Sequence, residues 1–299
     1  MDFFYKIFYL LDCNSRFLTL GFVCILSITG YTQNQYQSSL NLMCWNVQLL
    51  PDFFSAFSKH LQKMQKERCP DICKYLYTSD VDLILLQEVF DNQLKRQLRD
   101  QLAIRYPYVV MPKSKIPFLK TSNGLMILSK YPVNIIDNIY FKQASGVDAQ
   151  ASKGVQLFSV EVNGLDWYIA NTHLQAGDQE VRDHQYLQIK EEIIVPHVRE
   201  HIPFLFGGDF NTSRGTISFS NMMSLIQLNN SDLVNERPYT SDEMNFWNNS
   251  GKSEIDYIFH KLPSGFEVQE YKIERPKANI NHQLIDLSDH YPVFLNVEW

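Results

Sequence analysis

The stretch PFLFGGDFNTS, residues 203–213, ends an apolar run with two glycines, an aspartate and, two positions later, an asparagine. Side chains alternate between the two faces of a strand, so Asp209 and Asn211 share one face while Phe210 points into the protein. The glycines are expected to clear the approach to these two polar groups. The same residue types are common in turns, and the stretch by itself is equally compatible with a turn.

Eight apolar runs predict buried strands. They are rich in aromatic and β-branched residues and nearly continuous in hydrophobicity, which is typical of strands buried on both faces. The runs are LNLMCWNV (40–47), DLILLQEVF (82–90), GLMILSKYPV (124–133), VQLFSVEV (155–162), LDWYIANTHL (165–174), PFLFGGDF (203–210), EIDYIFH (254–260) and YPVFLNVEW (291–299).

Two amphipathic helices are predicted between these runs. Residues 91–104 place Leu94, Leu98 and Leu102 on one stripe, with Asp91 or Asn92 as the N-cap. Residues 178–195 carry apolar residues at helical spacing and stop near Pro196. No repeat or Pro/Gly/Ser-rich linker divides the chain after residue 40. We therefore predict one α/β domain, residues 39–299, with helices packed outside two stacked sheets.

Polar side chains interrupt the apolar runs where strands end or begin. Strand ends of a layered sheet converge on one edge, where sites are commonly built, so we expect these side chains to meet there. Besides Asp209 and Asn211, they are Asn46, Glu88, Asn171, His173, Glu254, Asp256, Asp289 and His290.

These residue types suit metal-assisted hydrolysis of a phosphate ester. Glu88 and Asn46 supply the hard oxygen ligands that Mg²⁺ prefers. His290 titrates near neutral pH and can take a proton from water. Its sequence neighbour Asp289 faces the other way on a strand, so another carboxylate can orient the imidazole. His173 is the candidate proton donor to the leaving oxygen, and no covalent intermediate is required.

The net charge and the N-terminal segment indicate the class of partner and the cellular location of the protein. A formal net charge of -6 and a pI of about 5.8 disfavour nucleic acid as the partner. Lys6 and Arg16 precede an apolar run from Phe17 to Ile28 and then a polar spacer. This layout predicts that residues 1–38 are a secretory signal, with an uncleaved membrane anchor as the alternative. Both place the remainder outside the cytosol.

Three cysteines remain beyond that segment, at positions 44, 69 and 73. We interpret them as buried small hydrophobic residues. A Cys69–Cys73 disulfide stays open at this point, and it requires the helix to break at Pro70 because the spacing is slightly too long within a helix.

Six motifs resemble the endonuclease/exonuclease/phosphatase superfamily. They are WNVQ, LQEVF, NTHLQ, GGDFNT, EIDYIF and SDHYPV, in this order across residues 41–299. The resemblance implies a four-layer, DNase I-like α/β sandwich. It implies that Asn46 and Glu88 hold Mg²⁺, with Mn²⁺ or Co²⁺ as substitutes, and that Asp209 and Asn211 position the phosphate and water. His173 would bind the phosphate or protonate the leaving group, and Asp289 with His290 would supply the general base.

Two further stretches resemble the sphingomyelinase branch, namely EVFDN (88–92) and VDAQASKGV (147–155). This implies that Asp148 and Lys153 lie near the substrate phosphate, and we add Asn171 as a substrate contact. The implied activity is Mg²⁺-dependent hydrolysis of sphingomyelin to ceramide and phosphocholine, by a monomer at a membrane surface without a protein partner. The alternative is a secreted DNase I-like endonuclease with the same catalytic centre. A decayed, non-catalytic site is disfavoured because no motif position has lost its chemical type.

This sequence differs from the sphingomyelinase branch in one feature that concerns contact with membranes. Haemolytic members of the branch carry an aromatic hairpin before the SDH motif, whereas here residues 271–290 contain no Trp or Phe. We therefore expect no lysis of intact membranes. Phe53, Phe54, Phe57, Phe118 and Trp247 are alternative lipid-facing candidates, with core packing as the competing use.

Overall fold

The computed structural model describes residues 38–51, 59–117, 119–231, 239–247 and 251–299. The segment predicted to be a signal or an anchor lies almost entirely outside these ranges, as do Phe53, Phe54, Phe57 and Phe118. Across the described residues, no helix combines the length and apolar character needed to cross a membrane.

Two sheets form the centre of the described structure. The first contains β1 (Ser39–Leu49), β2 (Leu83–Val89), β3 (Tyr108–Val110), β4 (Met126–Ser129), β10 (Glu267–Ile273) and β13 (Val293–Glu298), in the order β10-β13-β1-β2-β4-β3. The second contains, in chain order, β5 (Asn134–Tyr140), β6 (Gly154–Val162), β7 (Leu165–His173), β8 (Phe204–Asp209) and β9 (Asp256–Lys261). A separate hairpin pairs β11 (Lys277–Ile280) with β12 (Gln283–Asp286).

Each sheet has one parallel pair at its centre, β1 with β2 and β7 with β8. The outer neighbours β13 and β9 run antiparallel to these pairs. The carboxyl ends of the four parallel strands therefore lie at the same edge as the first residues of β9 and β13. This arrangement gathers motifs that are far apart in the chain.

Helices cover the outer face of each sheet. The helices α1 (Lys59–Thr78) and α2 (Asn92–Leu102) share an apolar cluster with the first sheet, to which Leu76 and Leu98 contribute. The helices α3 (Gln179–Ile189) and α4 (Ile217–Ile226) share another with the second sheet, which includes Tyr186 and Met222. A third cluster fills the space between the sheets. The order helix, sheet, sheet, helix confirms the predicted four-layer α/β sandwich.

Both predicted helices are confirmed. The Asp91 carboxylate caps α2 by accepting from the backbone N–H groups of Gln93 and Leu94 at 2.8 Å each, and the predicted leucine stripe is buried. Asp178 caps α3, which continues through a π-helical turn, Lys190–Ile194, into the short helix Val195–His197. The helix therefore ends close to Pro196, as expected.

The elements that sequence patterns did not predict are mainly peripheral. The strands β3 and β10 are the two edges of the first sheet, and β5 is an edge of the second. These three strands are short or partly exposed, so they lack a continuous apolar run, whereas β9, the other edge of the second sheet, is buried and was predicted. The eight predicted strands all form.

The two glycines of GGDF have a different role from the one expected. A Cβ on Gly207 would lie 2.7 Å from Leu85 Cδ1 in the opposite sheet, and one on Gly208 would lie 2.4 Å from the carbonyl oxygen of Thr172. Both distances are too short for a methyl group. The glycines therefore allow close packing between sheets and between strands, rather than clearing a path for a ligand.

The cysteines are buried and free. The helix α1 continues through Pro70, so the break that a Cys69–Cys73 disulfide requires does not occur. Cys44, Cys69 and Cys73 carry no disulfide in the described structure. The interpretation as small buried hydrophobic residues is confirmed.

Candidate active site

The centre of the site joins the two sheets through one amide. The Asn46 side-chain nitrogen donates to Glu88 Oε1 at 3.1 Å and to Asp209 Oδ2 at 3.0 Å. These residues lie 42 and 163 positions from Asn46 in the chain. Asn46 is fully buried, and its oxygen accepts from the backbone N–H of Gln48 at 3.1 Å. The predicted convergence of strand ends is confirmed for these three residues.

The backbone bends sharply at this edge. Gln48, Glu88 and Asn211 have φ of 49°, 56° and 48°. Left-handed backbone disfavours residues with a side chain by roughly 1–2 kcal/mol each. Such conformations persist where the surrounding structure holds them, and they cluster at functional sites. Glu88 lies at the irregularity in the β1–β2 pairing between the pairs Asn46–Gln87 and Leu49–Val89, and its carboxylate accepts from Asn46.

Glu88 lies in an environment that favours a cation. Burial, and next the Asp289 carboxylate, raise the pKa of Glu88 to about 7. Asp209 behaves similarly, since burial and the nearby Asp256 raise its pKa to about 6. Buried acids that repel one another in this way are stabilised by a divalent ion, so the donor set fits Mg²⁺. In the arrangement described, Asn46 presents its amide nitrogen to Glu88, and the amide must turn for its oxygen to become a ligand.

His290 is paired with a carboxylate, as predicted, and the partner is Asp256. The distance from His290 Nδ1 to Asp256 Oδ2 is 2.8 Å, and that from Nδ1 to Asp209 Oδ2 is 3.8 Å. Burial opposes protonation of the imidazole, but the carboxylates of Asp256, Asp209 and Asp289 outweigh it and raise the pKa of His290 well above its usual value. The pairing through Nδ1 leaves Nε2 as the ring nitrogen that is not bonded to Asp256.

Ligand atoms of Asp209, Asp256 and His290 all lie within 4.8 Å of one another, a spacing that a metal ion could also use. The short hydrogen bond between His290 and Asp256 instead matches an Asp–His pair that holds one tautomer and orients the ring. We therefore interpret this cluster as the general-base end of the site.

Asp289 has a supporting position. Its Oδ2 accepts from Gln48 Nε2 at 2.7 Å, and its Oδ1 accepts from the hydroxyl of Ser288 at 3.2 Å. The expected sharing of the base function between Asp289 and His290 does not match this geometry, because the carboxylate bonded to the imidazole belongs to Asp256. Asp289 acts on the site through its charge, which raises the pKa of Glu88 and of His290.

His173, Lys153 and Asp148 form the other end of the site. Lys153 Nζ lies 3.0 Å from His173 Nε2 and 2.8 Å from Asp148 Oδ1, and it donates to the carbonyl oxygen of Leu174 at 3.0 Å. Asp148 also accepts from the backbone N–H of Ala176 at 2.8 Å. Lys153 is therefore paired with Asp148 beside His173.

His173 is a neutral imidazole in this setting. Its Nε2 lies 3.5 Å from Asp209 Oδ2, which by itself would favour the charged form. Burial, and then the positive charges of Lys153 and His290, prevail and lower the pKa of His173 well below its usual value. The Lys153 ammonium is a donor only, so His173 Nε2 accepts from it. His173 therefore holds no proton ready at Nε2 for a leaving group.

The two remaining predicted residues differ. Asn211 donates from its side chain to the carbonyl oxygen of Leu174 at 3.1 Å, and its backbone N–H bonds Asp209 Oδ1 at 2.9 Å, so it lies at the site. Asn171 is fully buried, accepts from Gln87 Nε2 at 2.7 Å and donates to the carbonyl oxygen of Leu86 at 3.2 Å. Its amide therefore links the two sheets. Asn171 has this structural role instead of the substrate contact that we expected.

The matching family model describes the endonuclease/exonuclease/phosphatase family and covers residues 43–290. The chain belongs to this family. All six motifs that suggested the resemblance lie within that span or overlap it, and so do Asp148 and Lys153 of the VDAQASKGV stretch.

Relatives within the family bear names from one branch. The chain is 26% identical to a phospholipase C from Staphylococcus aureus, over 77% of this chain and 80% of that one. It is 24% identical to a sphingomyelinase C from Listeria ivanovii, over 77% and 79%. A crystal structure of a Staphylococcus aureus beta toxin mutant with bound magnesium ions aligns with a TM-score of 0.71 at 22% identity, covering 86% of this chain and 99% of that one. This structural likeness supports the DNase I-like fold.

We expected Asp256 at this edge from the sequence, but nothing in its spacing paired it with His290. No role was assigned to Gln48, although this residue lies in the WNVQ motif, and Arg68 gave no signal at all. Arg68 is 2% exposed, and its guanidinium donates to the carbonyl oxygen of Gln48 and, at 3.2 Å, to Gln48 Oε1. It thereby fixes the side chain that bonds Asp289.

The β11–β12 hairpin lies in the interval before the SDH motif, and the hairpin contains no Phe, Trp or Tyr. Ile280 and Ile285 of this hairpin pack with Met64 of α1, while Leu284 is 64% exposed. Trp247 packs against the same cluster and donates its indole N–H to the carbonyl oxygen of Asp286 at 2.7 Å. Trp247 therefore serves packing, which was the competing use considered above.

Proposed function

We propose that this protein is a Mg²⁺-dependent phosphodiesterase that hydrolyses sphingomyelin to ceramide and phosphocholine. The observation that carries the proposal is the convergence of Glu88, Asp209 and the His290–Asp256 pair at one edge of both sheets. The names of the relatives, phospholipase C and sphingomyelinase C, support the choice of a choline lipid as substrate.

Glu88 and Asn46 would hold the cation. A bound Mg²⁺ would polarise a phosphoryl oxygen and offset the negative charge that develops during displacement. It would also offset the charge of the carboxylates that keep the pKa of His290 high, and the imidazole must be neutral to act as a base.

His290 activates the attacking water. As the water oxygen forms its bond to phosphorus, its proton passes to His290 Nε2, while Asp256 holds the ring through Nδ1. Asp209 and Asn211 position the water and phosphate from the adjacent strand end. Asp289 supports the same end of the site through Gln48.

The bond from phosphorus to the ceramide oxygen breaks in the same step, and the leaving oxygen needs a proton. We assign this proton to the Lys153 ammonium in place of His173, because His173 is neutral and accepts at Nε2. His173 and Asp148 then hold Lys153 beside the phosphate, where its charge also stabilises the leaving oxygen.

The remaining expectations complete the proposal. The enzyme acts as a monomer on a membrane surface, and Mn²⁺ or Co²⁺, which accept similar oxygen ligands, replace Mg²⁺. It is exported, since Lys6 and Arg16 precede a short apolar run.

A substrate panel tests the activity. Purified protein is incubated with sphingomyelin, phosphatidylcholine, lysophosphatidylcholine or plasmid DNA, with Mg²⁺ present or chelated. We expect release of phosphocholine from sphingomyelin only when the metal is present, and loss of that release in His290→Ala. Nicking of the plasmid without release of phosphocholine would instead identify the endonuclease alternative.

A further inference from the structure

A cavity opens beside the proton-donor end of the site. Its volume is about 170 Å³, and its floor includes Glu88, Lys153 and His173. Its walls are mostly apolar and include Leu50, Pro51, Phe90, Val147 and Ala151. A cavity of roughly 150 Å³ is enough to hold a benzene-sized group. The space therefore suits a small apolar portion of a substrate next to its phosphate.

The position of the cavity relates it to the leaving group. In an in-line displacement the attacking and leaving oxygens lie on opposite sides of phosphorus. Water is activated at the His290–Asp256 pair, and neither residue lines the cavity, whereas His173 and Lys153 do. The cavity thus lies on the side where the phosphorus–oxygen bond breaks, and that oxygen belongs to ceramide.

Charge separates the two ends of the substrate. The Lys153 ammonium lines the cavity and pairs with Asp148 at 2.8 Å, so the charge that remains there is that of Glu88, which a bound divalent ion would offset. The described cavity walls present one aromatic ring, Phe90, in place of the several that commonly surround a quaternary ammonium group. A neutral hydrocarbon is therefore a better occupant than the choline cation, particularly once Glu88 holds a divalent ion.

The rim of the cavity is where apolar side chains face solvent. Val147 on the rim is 64% exposed. Thr121, another lining residue, ends a loop in which Ile116 and Leu119 are 41% and 78% exposed. Lys113, Lys115 and Lys120 of the same loop are also exposed. Apolar groups flanked by lysines are typical of surfaces that contact lipid.

We propose that this cavity binds the ceramide end of the substrate, at the carbon atoms next to the phosphoester, and that the choline headgroup lies elsewhere. The proposal rests on the proposed sphingomyelinase function and deepens it. It assigns Val147 and Phe90 as residues that recognise the leaving alcohol, with the exposed Ile116 and Leu119 directed toward the lipid from which that alcohol comes.

Product binding tests the assignment without requiring turnover. Equilibrium dialysis measures the dissociation constants of radiolabelled N-acetylsphingosine, a short-chain ceramide, and of phosphocholine, for the wild-type protein, Val147→Asp and Val147→Trp. Val195→Asp and Val195→Trp are matched controls, since Val195 is also 64% exposed and lies outside the cavity. Thermal melting curves check that each variant is folded.

We expect both Val147 variants to bind N-acetylsphingosine at least about tenfold more weakly, because one adds a charge to an apolar wall and the other fills the space. Phosphocholine binding should stay within about twofold, and the Val195 controls should match the wild type. Tighter phosphocholine binding in Val147→Asp would show that choline is the occupant, and unchanged binding of both products would show that the cavity is unused. Either result overturns the proposal. Failure of the wild type to hydrolyse sphingomyelin, measured separately, concerns the proposed function instead.

Discussion

Replacing Asp256 by asparagine tests the general-base assignment most directly. The change keeps the shape of the side chain but removes the charge that lies 2.8 Å from His290 Nδ1. At an effective dielectric constant of about 20, two unit charges at this distance attract by about 6 kcal/mol. The cost of burying both groups offsets part of this attraction. If about half of the attraction remains, the Asp256→Asn variant loses roughly 3 kcal/mol of stabilisation of the imidazolium that forms in the reaction.

That loss corresponds to a fall in kcat/KM of about 10²-fold, and mispositioning of the ring extends the expected range to about 10⁴-fold. The pH dependence of the activity provides a second test. Asp256 raises the pKa of His290, so its neutralisation lowers that pKa. Because the base must be unprotonated, the acidic limb of the residual activity should move to lower pH.

The assay is initial-rate release of phosphocholine from sphingomyelin in mixed micelles across a range of pH. Asp286→Asn is a suitable control, since Asp286 is 2% exposed and pairs with Arg275 at 2.7 Å outside the site. This control should lower thermal stability but leave kcat/KM within about threefold. The reasoning is refuted if Asp256→Asn keeps more than about a third of wild-type activity, or if its acidic limb stays in place.

Three further predictions concern the metal, the donor end and the packing. Burial raises the pKa of Glu88 to about 7, so the stability it contributes is fully present below its usual pKa of 4.5 and is lost as pH rises through 7. Mg²⁺ should therefore increase the free energy of unfolding more at pH 8 than at pH 5.5, by on the order of 3 kcal/mol at most. Scanning fluorimetry should show this as a larger rise in Tm at pH 8, and Glu88→Gln should abolish the difference. Lys153→Met should lower kcat by about 10²-fold or more, whereas the exposed Lys120→Met should leave it unchanged. Gly208→Ala places a methyl group 2.4 Å from the carbonyl oxygen of Thr172 and should lower the free energy of unfolding by about 1–3 kcal/mol in urea titrations; an unchanged midpoint would contradict the packing role.

Local patterns were sufficient for the fold class and for most of the site. Continuous apolar runs predict buried strands wherever a strand is covered on both faces, and this held for all eight runs, including β9 at an edge of the second sheet. The polar interruptions at Asn46, Glu88 and Asp209 were visible for the same reason, because a charged or amide group stands out at the end of such a run. The edge strand β5 was not predicted, because its exposed residues interrupt the apolar pattern.

Sequence by itself therefore determined which residue types were available for catalysis, and it determined that they lie at strand ends. The tertiary structure decided which of them act together. Asp256, 34 positions before His290, became its partner only because β9 and β13 start at the same edge. His173 lost its expected proton because burial beside Lys153 favours the neutral imidazole, and Asn171 turned inward to bond the opposite sheet. Pairing and protonation depend on distances of a few ångströms between groups far apart in the chain, and those distances are set by how the two sheets pack.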